Sequence, residues 1–171
     1  TQIEAGALIL HPQEFILPGC IEDLQHIYAP RAAKKGLTLR CDMASDIPTQ
    51  VFADRTRLIQ VLGNLVDNAI KYTETGQVTI HVSRETKVTP FSVTFSVHDT
   101  GVGFPAEETE HLFEMFHQYT SSAEGGSGIG LAITKHLVEQ MGGRVHAESH
   151  EGQGSVFSCT IPFPQPAQMP Q

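Results

Sequence analysis

Three stretches of the chain carry apolar residues every three or four positions, which is the spacing of one buried helix face. The clearest predicted helix covers residues 54–71, and Asp54 is a residue type that caps helix N-termini. A second is predicted over residues 129–141, where two glycines follow and end it. A third is predicted over residues 19–35, although Pro30 is disfavoured in a helix interior.

Alternating apolar and polar residues predict strands at residues 37–41, 78–82, 93–97, 144–149 and 155–161. The second and third are predicted to form a hairpin that turns around Lys87-Val88-Thr89-Pro90. Because strands and helices mix without strict βαβ alternation, we expect one sheet with helices packed on one of its faces.

Residues 99–128 break this regular pattern. The segment is rich in glycine and has little periodicity beyond a short helix predicted near residues 106–113. A loop of this length inside a compact domain is usually functional and often acts as a lid.

Composition narrows the classes of protein that fit. The 171 residues carry 11 Lys and Arg against 19 Asp and Glu, a net charge of −8. That length fits one domain, and the acidic balance argues against a nucleic-acid-binding protein, whose footprint is a basic patch. No apolar run reaches the ~18 residues of a membrane span. Three widely spaced cysteines support neither a disulfide framework nor a zinc site, so a reducing, cytoplasmic setting fits.

Two amides and one ammonium form a stripe on the helix predicted over residues 54–71. At about 100° per residue, Asn68 and Lys71 lie within about 40° of Asn64, beside the apolar face. Such a stripe is usually a solvated edge. Paired amides can also coordinate a hard cation through their carbonyl oxygens, and a nearby Lys can bind phosphate as a point charge.

Two glycine-containing motifs follow. Asp99-Thr100-Gly101-Val102-Gly103 comes directly after a strand, where a carboxylate can accept a hydrogen bond from an exocyclic amine; the plain alternative is an Asp-Gly turn. Gly125-Gly126-Ser127-Gly128-Ile129-Gly130-Leu131 opens a helix, whose N-terminal N–H groups can bind phosphate. It matches neither a P-loop nor a dinucleotide fingerprint, and a flexible hinge is the alternative.

Taken together and in order, these motifs resemble the nucleotide-binding boxes of the sensor histidine kinases. The N box is similar to Asn64-x-x-x-Asn68-Ala69-x-Lys71-Tyr72-Thr73, and the G1 box to Asp99-x-Gly101-x-Gly103. The F box is similar to Phe113-Glu114-Met115-Phe116-His117-Gln118, and the G2 box to Gly126-Ser127-Gly128-Ile129-Gly130-Leu131. Ile3-Glu4-Ala5-Gly6 is similar to the end of a dimerisation helix, and residues 154–162 to the closing strand.

The resemblance implies the Bergerat fold of the GHKL superfamily. This is an α+β, two-layer α/β sandwich in which a mixed sheet packs against helices and ATP is held under a mobile lid. Carried over by position, Asn68 would coordinate Mg²⁺, Asn64 would support the metal and the phosphates, and Lys71 would contact phosphate. Tyr72 would lie against adenine or ribose, and Asp99 would accept a hydrogen bond from the adenine amino group.

The resemblance also assigns roles to the glycine-rich segments. Gly101 and Gly103 would let the backbone approach the base. The lid and phosphate contacts would come from the G2 box, that is from Gly126, Ser127, Gly128, Ile129, Gly130 and Leu131. Phe113 and Phe116 would either anchor the lid or serve as core aromatics.

Asn64 favours one activity among those of the superfamily. Its topoisomerase, mismatch-repair and heat-shock ATPases have Glu at this position, where a carboxylate can act as a base on water. An amide takes up no proton at neutral pH, so Asn64 favours phosphoryl transfer to an external nucleophile, which relies on positioning and charge. Asp67, close by in sequence, is predicted to be a solvated residue.

The family's phosphoacceptor is a His followed by an acidic residue, within a dimerisation helix that also carries Ser/Thr-Pro. None of the nine histidines has that context, and each is expected to be a surface or satisfied polar residue. The acceptor is therefore expected on a dimerisation domain of the same protein, upstream of Thr1, with a response regulator or receiver domain downstream. No nucleic-acid partner and no direct membrane contact are expected, although the parent protein could be anchored in the inner membrane.

One departure from the family pattern keeps an alternative open. Many relatives carry Arg just before the G2 glycines, whereas this chain has Ser121-Ser122-Ala123-Glu124. A nucleotide-binding regulatory module with weak or no kinase activity is thus the alternative. An anti-sigma type serine kinase is a third interpretation, against which Ile3-Glu4-Ala5-Gly6 argues.

The expected organisation has three parts. Residues 1–12 would be the end of a dimerisation helix and a linker, and residues 13–163 the ATP-binding catalytic domain. Residues 164–171 would be a proline-rich tail, either a linker to a receiver domain as in hybrid kinases or a frayed terminus.

Overall fold

The computed structural model describes residues 9–85, 91–108, 111–114 and 130–163. Its helices are α1 (Leu17–Lys34), α2 (Arg55–Lys71) and α3 (Gly130–Gln140), with a 3₁₀ turn at Ala106–Glu108. Its strands are β1 (Gln13–Ile16), β2 (Thr38–Met43), β3 (Gln50–Ala53), β4 (Gln77–Glu85), β5 (Ser92–Asp99), β6 (Arg144–His150) and β7 (Gly154–Pro162). No helix within these ranges is both long and apolar enough to cross a bilayer.

Five strands form a mixed sheet in the order β2-β4-β5-β7-β6. Strands β2 and β4 pair in parallel, because α2 carries the chain from one to the other as a crossover. The remaining neighbours pair antiparallel, with Val78 opposite Asp99 and Asp99 opposite Ser155. The predicted α+β layering of a mixed sheet against helices is confirmed, and so is the pairing of the two hairpin strands. The turn predicted at residues 87–90 lies outside the described residues.

A second, two-stranded sheet was not predicted. Strands β1 and β3 pair antiparallel, with Phe15 opposite Val51. Each strand has four residues, and in β1 only Phe15 is buried. A strand with one buried position cannot display a period of two, so this pair is set by tertiary packing.

The core lies between one face of the large sheet and the three helices. Alternate residues of the central strands point inward and are fully buried or nearly so: Val78, Ile80, Val82, Val93, Phe95, Val97, Phe157, Cys159 and Ile161. From α2, Leu58, Val61, Leu62, Leu65, Val66 and Ala69 meet them. Burying one such side chain stabilises the fold by about 1.5–3 kcal/mol, so the predicted apolar face of α2 is the centre of the core.

Helix α1 packs beside α2 and is joined to it by polar contacts. Asp23 pairs with Arg55, and Arg31 pairs with Asp67. Beyond the end of α1, the Lys35 ammonium donates to the backbone carbonyls of Ile70 and Lys71, at 2.9 and 3.1 Å. Asp67 is 40% exposed, as the predicted solvated residue should be, but it has an ion-pair partner.

The prediction of a short helix near residues 106–113 is wrong about the type of structure. The structure has a 3₁₀ turn at Ala106–Glu108, and residues 111–113 form a further turn. The backbone N–H groups of Glu108, His111 and Glu114 donate to carbonyls three residues earlier. Such bonds characterise short 3₁₀ turns, which do not extend into long helices.

Candidate functional site

The predicted polar stripe lies on the C-terminal half of α2. Asn64, Asn68 and Lys71 are partly exposed, whereas Leu65 and Ala69 between them are buried. Because these three polar positions recur at four and three residues, they line one edge of the helix. Lys71 is the last residue of α2, and Tyr72, also partly exposed, follows as its C-cap.

The amide of Asn64 reaches the first turn of α3. Its Nδ2 donates to the Thr134 hydroxyl at 3.2 Å and lies 3.4 Å from the Gly130 carbonyl. Thr134 is fully buried, and its own hydroxyl donates to the Gly130 carbonyl at 3.0 Å. The sequence reasoning missed Thr134, although its signal is present as a polar residue on the apolar face of the predicted helix.

Asp99 ends β5 and is 7% exposed. One carboxylate oxygen accepts from the backbone N–H groups of Gly101 and Ser155, at 2.9 and 3.2 Å, and the other accepts from the Ser155 hydroxyl at 2.7 Å. Burial raises the pKa of Asp99 above its usual value, and these hydrogen bonds oppose the rise. The carboxylate is therefore fixed in orientation. Ser155 was missed because it lies 56 residues away in the sequence.

Gly101 joins the loop after β5 to the end of α2. A Cβ atom at this position would lie 2.3 Å from the Tyr72 carbonyl oxygen and 3.0 Å from an Asp99 carboxylate oxygen. No side chain fits there, so glycine allows the backbone of the two segments to meet. The N-box and G1-box residues predicted from sequence are thereby brought side by side.

The end of β6 and the turn that follows it support the same loop. The Ser149 hydroxyl accepts from the Phe104 N–H at 2.7 Å, and the Gly152 N–H donates to the Val102 carbonyl at 2.7 Å. Gly103 has φ +69°, and a Cβ there would lie 2.7 Å from the His150 carbonyl oxygen. The Asp99–Phe104 loop therefore has a defined shape, which Gly103 permits.

The remaining predicted residues fall into two groups. Phe113 is partly buried and packs edge-on against Phe157, with ring centroids 6.3 Å apart, as a core aromatic would. Gly130 begins α3, and Leu131 packs partly buried against the core. The predictions for Gly126, Ser127, Gly128, Ile129 and Phe116 lie outside the described residues.

These residues offer three chemical functions where the loop after β5 meets the end of α2. Asp99 offers a fixed acceptor for an amine, the amide oxygens on α2 are of the donor type that hard cations bind, and Lys71 offers a positive charge. Asp99 and the stripe are linked through Gly101 and Tyr72.

Comparison with known proteins matches the family model described as histidine kinase-, DNA gyrase B-, and HSP90-like ATPase over residues 53–165. The aerobic respiration control sensor protein ArcB of Escherichia coli (strain K12) is 38% identical over 152 residues. That match covers 86% of this chain and 19% of ArcB, so the chain spans about a fifth of this curated relative.

Two solved structures are also similar to this chain. Full-length ShkA in complex with AMPPNP is similar with a TM-score of 0.83 and 35% identity, over 93% of this chain and 32% of ShkA. Histidine kinase ThkA in complex with response regulator protein TrrA is similar with a TM-score of 0.72 and 30% identity, over 90% of this chain and 42% of that one.

Proposed function

This chain belongs to the family of histidine kinase-, DNA gyrase B- and HSP90-like ATPases, and we propose that it is the catalytic domain of a sensor histidine kinase. It binds Mg²⁺-ATP and transfers the terminal phosphate to a histidine on a dimerisation domain, in two-component signal transduction. The similarity to histidine kinase ThkA supports the proposal.

The observation that carries the proposal is the contact at Gly101. The backbone there lies so close to the Tyr72 carbonyl that an added Cβ would approach it to 2.3 Å. That contact joins an acceptor suited to a base amine, Asp99, to a helix edge suited to a metal and phosphates. A nucleotide with its bound metal ion offers the complementary groups, which are a base amine, a cation and phosphates.

Each residue then has a role in holding the nucleotide. Asp99 accepts from the adenine amino group, which selects adenine over guanine, and Tyr72 lies against adenine or ribose. Gly101 and Gly103 let the backbone approach the base. Lys71 holds phosphate, and the G2 residues Gly126, Ser127, Gly128, Ile129, Gly130 and Leu131 complete the phosphate and lid contacts.

The α2 stripe fits a magnesium ion chemically. Mg²⁺ prefers oxygen ligands and usually combines few protein groups with substrate phosphates and water. Asn68 is partly exposed and would offer its amide oxygen, while Asn64 would support the metal and phosphates. The ion would supply charge stabilisation to the phosphates during transfer.

Asn64 argues for transfer over hydrolysis. Its amide nitrogen donates to the Thr134 hydroxyl, and no amide can remove a proton from water at neutral pH. The phosphoryl group is therefore passed to a nucleophile that another domain supplies.

The wider assembly follows from the same proposal. Residues 1–12 would lead in from the dimerisation domain of the same protein, residues 13–163 would form the catalytic domain, and residues 164–171 would be a tail or linker. ThkA is seen with a response regulator, and a response regulator or receiver domain is the expected downstream partner here. The domain would act in the cytoplasm.

Two measurements test the function. Titration with ATP, with and without Mg²⁺ and against GTP, should give Mg²⁺-dependent binding that prefers adenine. Labelled ATP should pass phosphate to a histidine-containing dimerisation domain added in trans, with slow phosphate release and no labelling of this chain alone. Absence of nucleotide affinity would remove the kinase proposal, and strong self-labelling on a histidine would contradict an external acceptor.

A second candidate is a regulatory nucleotide-binding module with weak or no kinase activity. It is favoured by Ser121-Ser122-Ala123-Glu124, where relatives carry Arg before the G2 glycines. Affinity for Mg²⁺-ATP without transfer to the added domain would select this candidate.

A further inference from the structure

The contact between Asn64 and α3 has a direction that its partners determine. The Gly130 carbonyl can only accept a hydrogen bond, and it lies 3.4 Å from the Asn64 amide. The amide atom that faces it must therefore be nitrogen, because an oxygen there would meet another oxygen. The assignment of Nδ2 and Oδ1 follows from this chemistry.

Thr134 gives a second reason to assign the atom that faces α3 as Asn64 Nδ2. Its single hydroxyl proton is directed to the Gly130 carbonyl, at 3.0 Å, so the hydroxyl oxygen has only lone pairs left for Asn64. Asn64 Nδ2 donates to that oxygen at 3.2 Å. The order of donation thus runs from Asn64 through Thr134 to Gly130.

We infer that Thr134 is a positioning residue, which orients the Asn64 amide so that its Nδ2 faces α3 and its Oδ1 is left to face the metal. The inference rests on the proposed function, since it concerns how that site binds Mg²⁺-nucleotide. Thr134 itself is fully buried and acts only through Asn64. A Thr hydroxyl bonded to the carbonyl four residues earlier is common in helices, and the added feature here is the side chain that donates to it.

The position of Gly130 gives the contact a second consequence. Gly130 is the first residue of α3 and the next-to-last residue of the G2 motif. Asn64 therefore contacts, directly and through Thr134, the residue at which the G2 motif and α3 overlap. A change in the first turn of α3 would be felt at Asn64 through Thr134.

Matched variants separate positioning from general structure. Thr134→Val keeps the shape and removes the hydroxyl, and Thr134→Ser restores a hydroxyl. Thr94→Val is the control, because it also removes a threonine hydroxyl that is hydrogen-bonded, here to Thr160 at 2.9 Å, on the sheet face away from the helices. AMPPNP binding is measured by calorimetry in excess Mg²⁺ and in EDTA, with thermal unfolding of each variant.

The expected result is a selective loss. Thr134→Val should weaken AMPPNP binding in Mg²⁺ by about 10-fold or more, the usual cost of removing a group that orients a metal-site residue. Its binding in EDTA should change little, Thr134→Ser should recover most of the affinity, and Thr94→Val should match the wild type. In the nucleotide-free protein, the Asn64 side-chain NH₂ signals in ¹⁵N spectra should shift and exchange faster in Thr134→Val only.

Three outcomes would overturn the inference. Equal losses in Mg²⁺ and in EDTA would mean that Thr134 has a structural role alone. Unchanged affinity together with unchanged Asn64 signals would mean that the contact orients nothing. In both cases wild-type binding would leave the proposed function standing, whereas a wild-type chain that binds no AMPPNP in either buffer would remove that function and this inference together.

Discussion

The two ends of α2 have the same apolar periodicity but use their polar residues differently. At the N-terminal end, Asp54 accepts from the backbone N–H groups of Arg57 and His11, at 3.0 and 2.8 Å, and Arg55 pairs with Asp23. At the C-terminal end, Asn68 and Lys71 lie partly exposed beside the buried face.

The difference shows that the last carbonyls of a helix can be hydrogen-bonded by residues outside the helix. Lys35, from beyond α1, donates to the carbonyls of Ile70 and Lys71, and the Tyr72 N–H donates to the Asn68 carbonyl at 3.1 Å. Unsatisfied carbonyls at a helix end need such partners. Because neighbouring residues satisfy them, these carbonyls do not need the side chains of Asn68 and Lys71, which are the residues proposed to bind metal and phosphate.

The largest effect should come from the C-terminal end. Asn68→Ala should weaken Mg²⁺-ATP binding by about 100-fold, about 2.7 kcal/mol, if its amide oxygen serves a bound cation. The free energy of unfolding should change by no more than about 0.5 kcal/mol, as for other surface substitutions. Calorimetry and urea denaturation of the same preparation measure both. A large stability loss with intact binding would mean that Asn68 has a structural role and does not bind the ligand.

The N-terminal end should respond in the opposite way. Asp54→Ala removes the cap and leaves the His11 N–H without its acceptor, so we expect a stability loss of about 2 kcal/mol. Nucleotide affinity should stay close to that of the wild type. Asp54→Asn keeps one capping oxygen and should lie between the two in urea denaturation. Weakened Mg²⁺-ATP binding by Asp54→Ala at a temperature where it is folded would contradict a purely structural role.

A smaller effect is expected from the ion pair beside the stripe. Arg31 and Asp67 are 58% and 40% exposed, so their pairing is worth about 0.2–1 kcal/mol at most. Arg31→Met should therefore lower the unfolding free energy slightly, and the loss should shrink further in high salt. A change in ATP affinity of more than a few-fold would show that α1 also controls the site.

The smallest effect should be a pH dependence that arises outside α2. His98, next to Asp99 but on the other face of β5, contacts His81 with ring centroids 4.3 Å apart. Burial, then the nearby His81, lowers the pKa of His98 below 6.5, and Glu148 opposes this. Asp42 also faces this pair, since it lies 3.7 Å from His81.

The sign follows from proton uptake by the two states. Below pH 6.5 the unfolded chain takes up the proton more readily than the folded one, so stability is lost as the pH falls from 6.5 toward the folded pKa. His98→Gln should lose less stability over that range in urea denaturation. Identical pH profiles for variant and wild type would assign the acid sensitivity to other groups.

Local pattern was enough to predict most of the elements. The apolar spacing identified α2 and α3 near their observed limits, and alternation identified the five strands of the large sheet. The helix wheel also predicted the stripe of Asn64, Asn68 and Lys71. These features depend on neighbours three, four or two residues apart, so the sequence displays them directly.

Other features depend on contacts that no local pattern records. The β1–β3 pair consists of two four-residue strands, and the 3₁₀ turn at Ala106–Glu108 is too short to display a period. Ser155 and Thr134 are single small hydroxyl residues whose partners, Asp99 and Asn64, lie 56 and 70 residues away.

The sequence by itself determined which chemical groups this protein has and on which elements they lie. Paired amides and an ammonium fall on one helix edge because 3.6 residues make a turn, and Asp99 falls at a strand end because alternation stops there. Only the tertiary structure decided that the segments carrying these groups meet. A glycine at position 101 lets the backbone approach the Tyr72 carbonyl, and a buried hydroxyl at Thr134 receives the Asn64 amide. Close approach and hydrogen-bond direction depend on the relative placement of distant segments, which packing of the core sets.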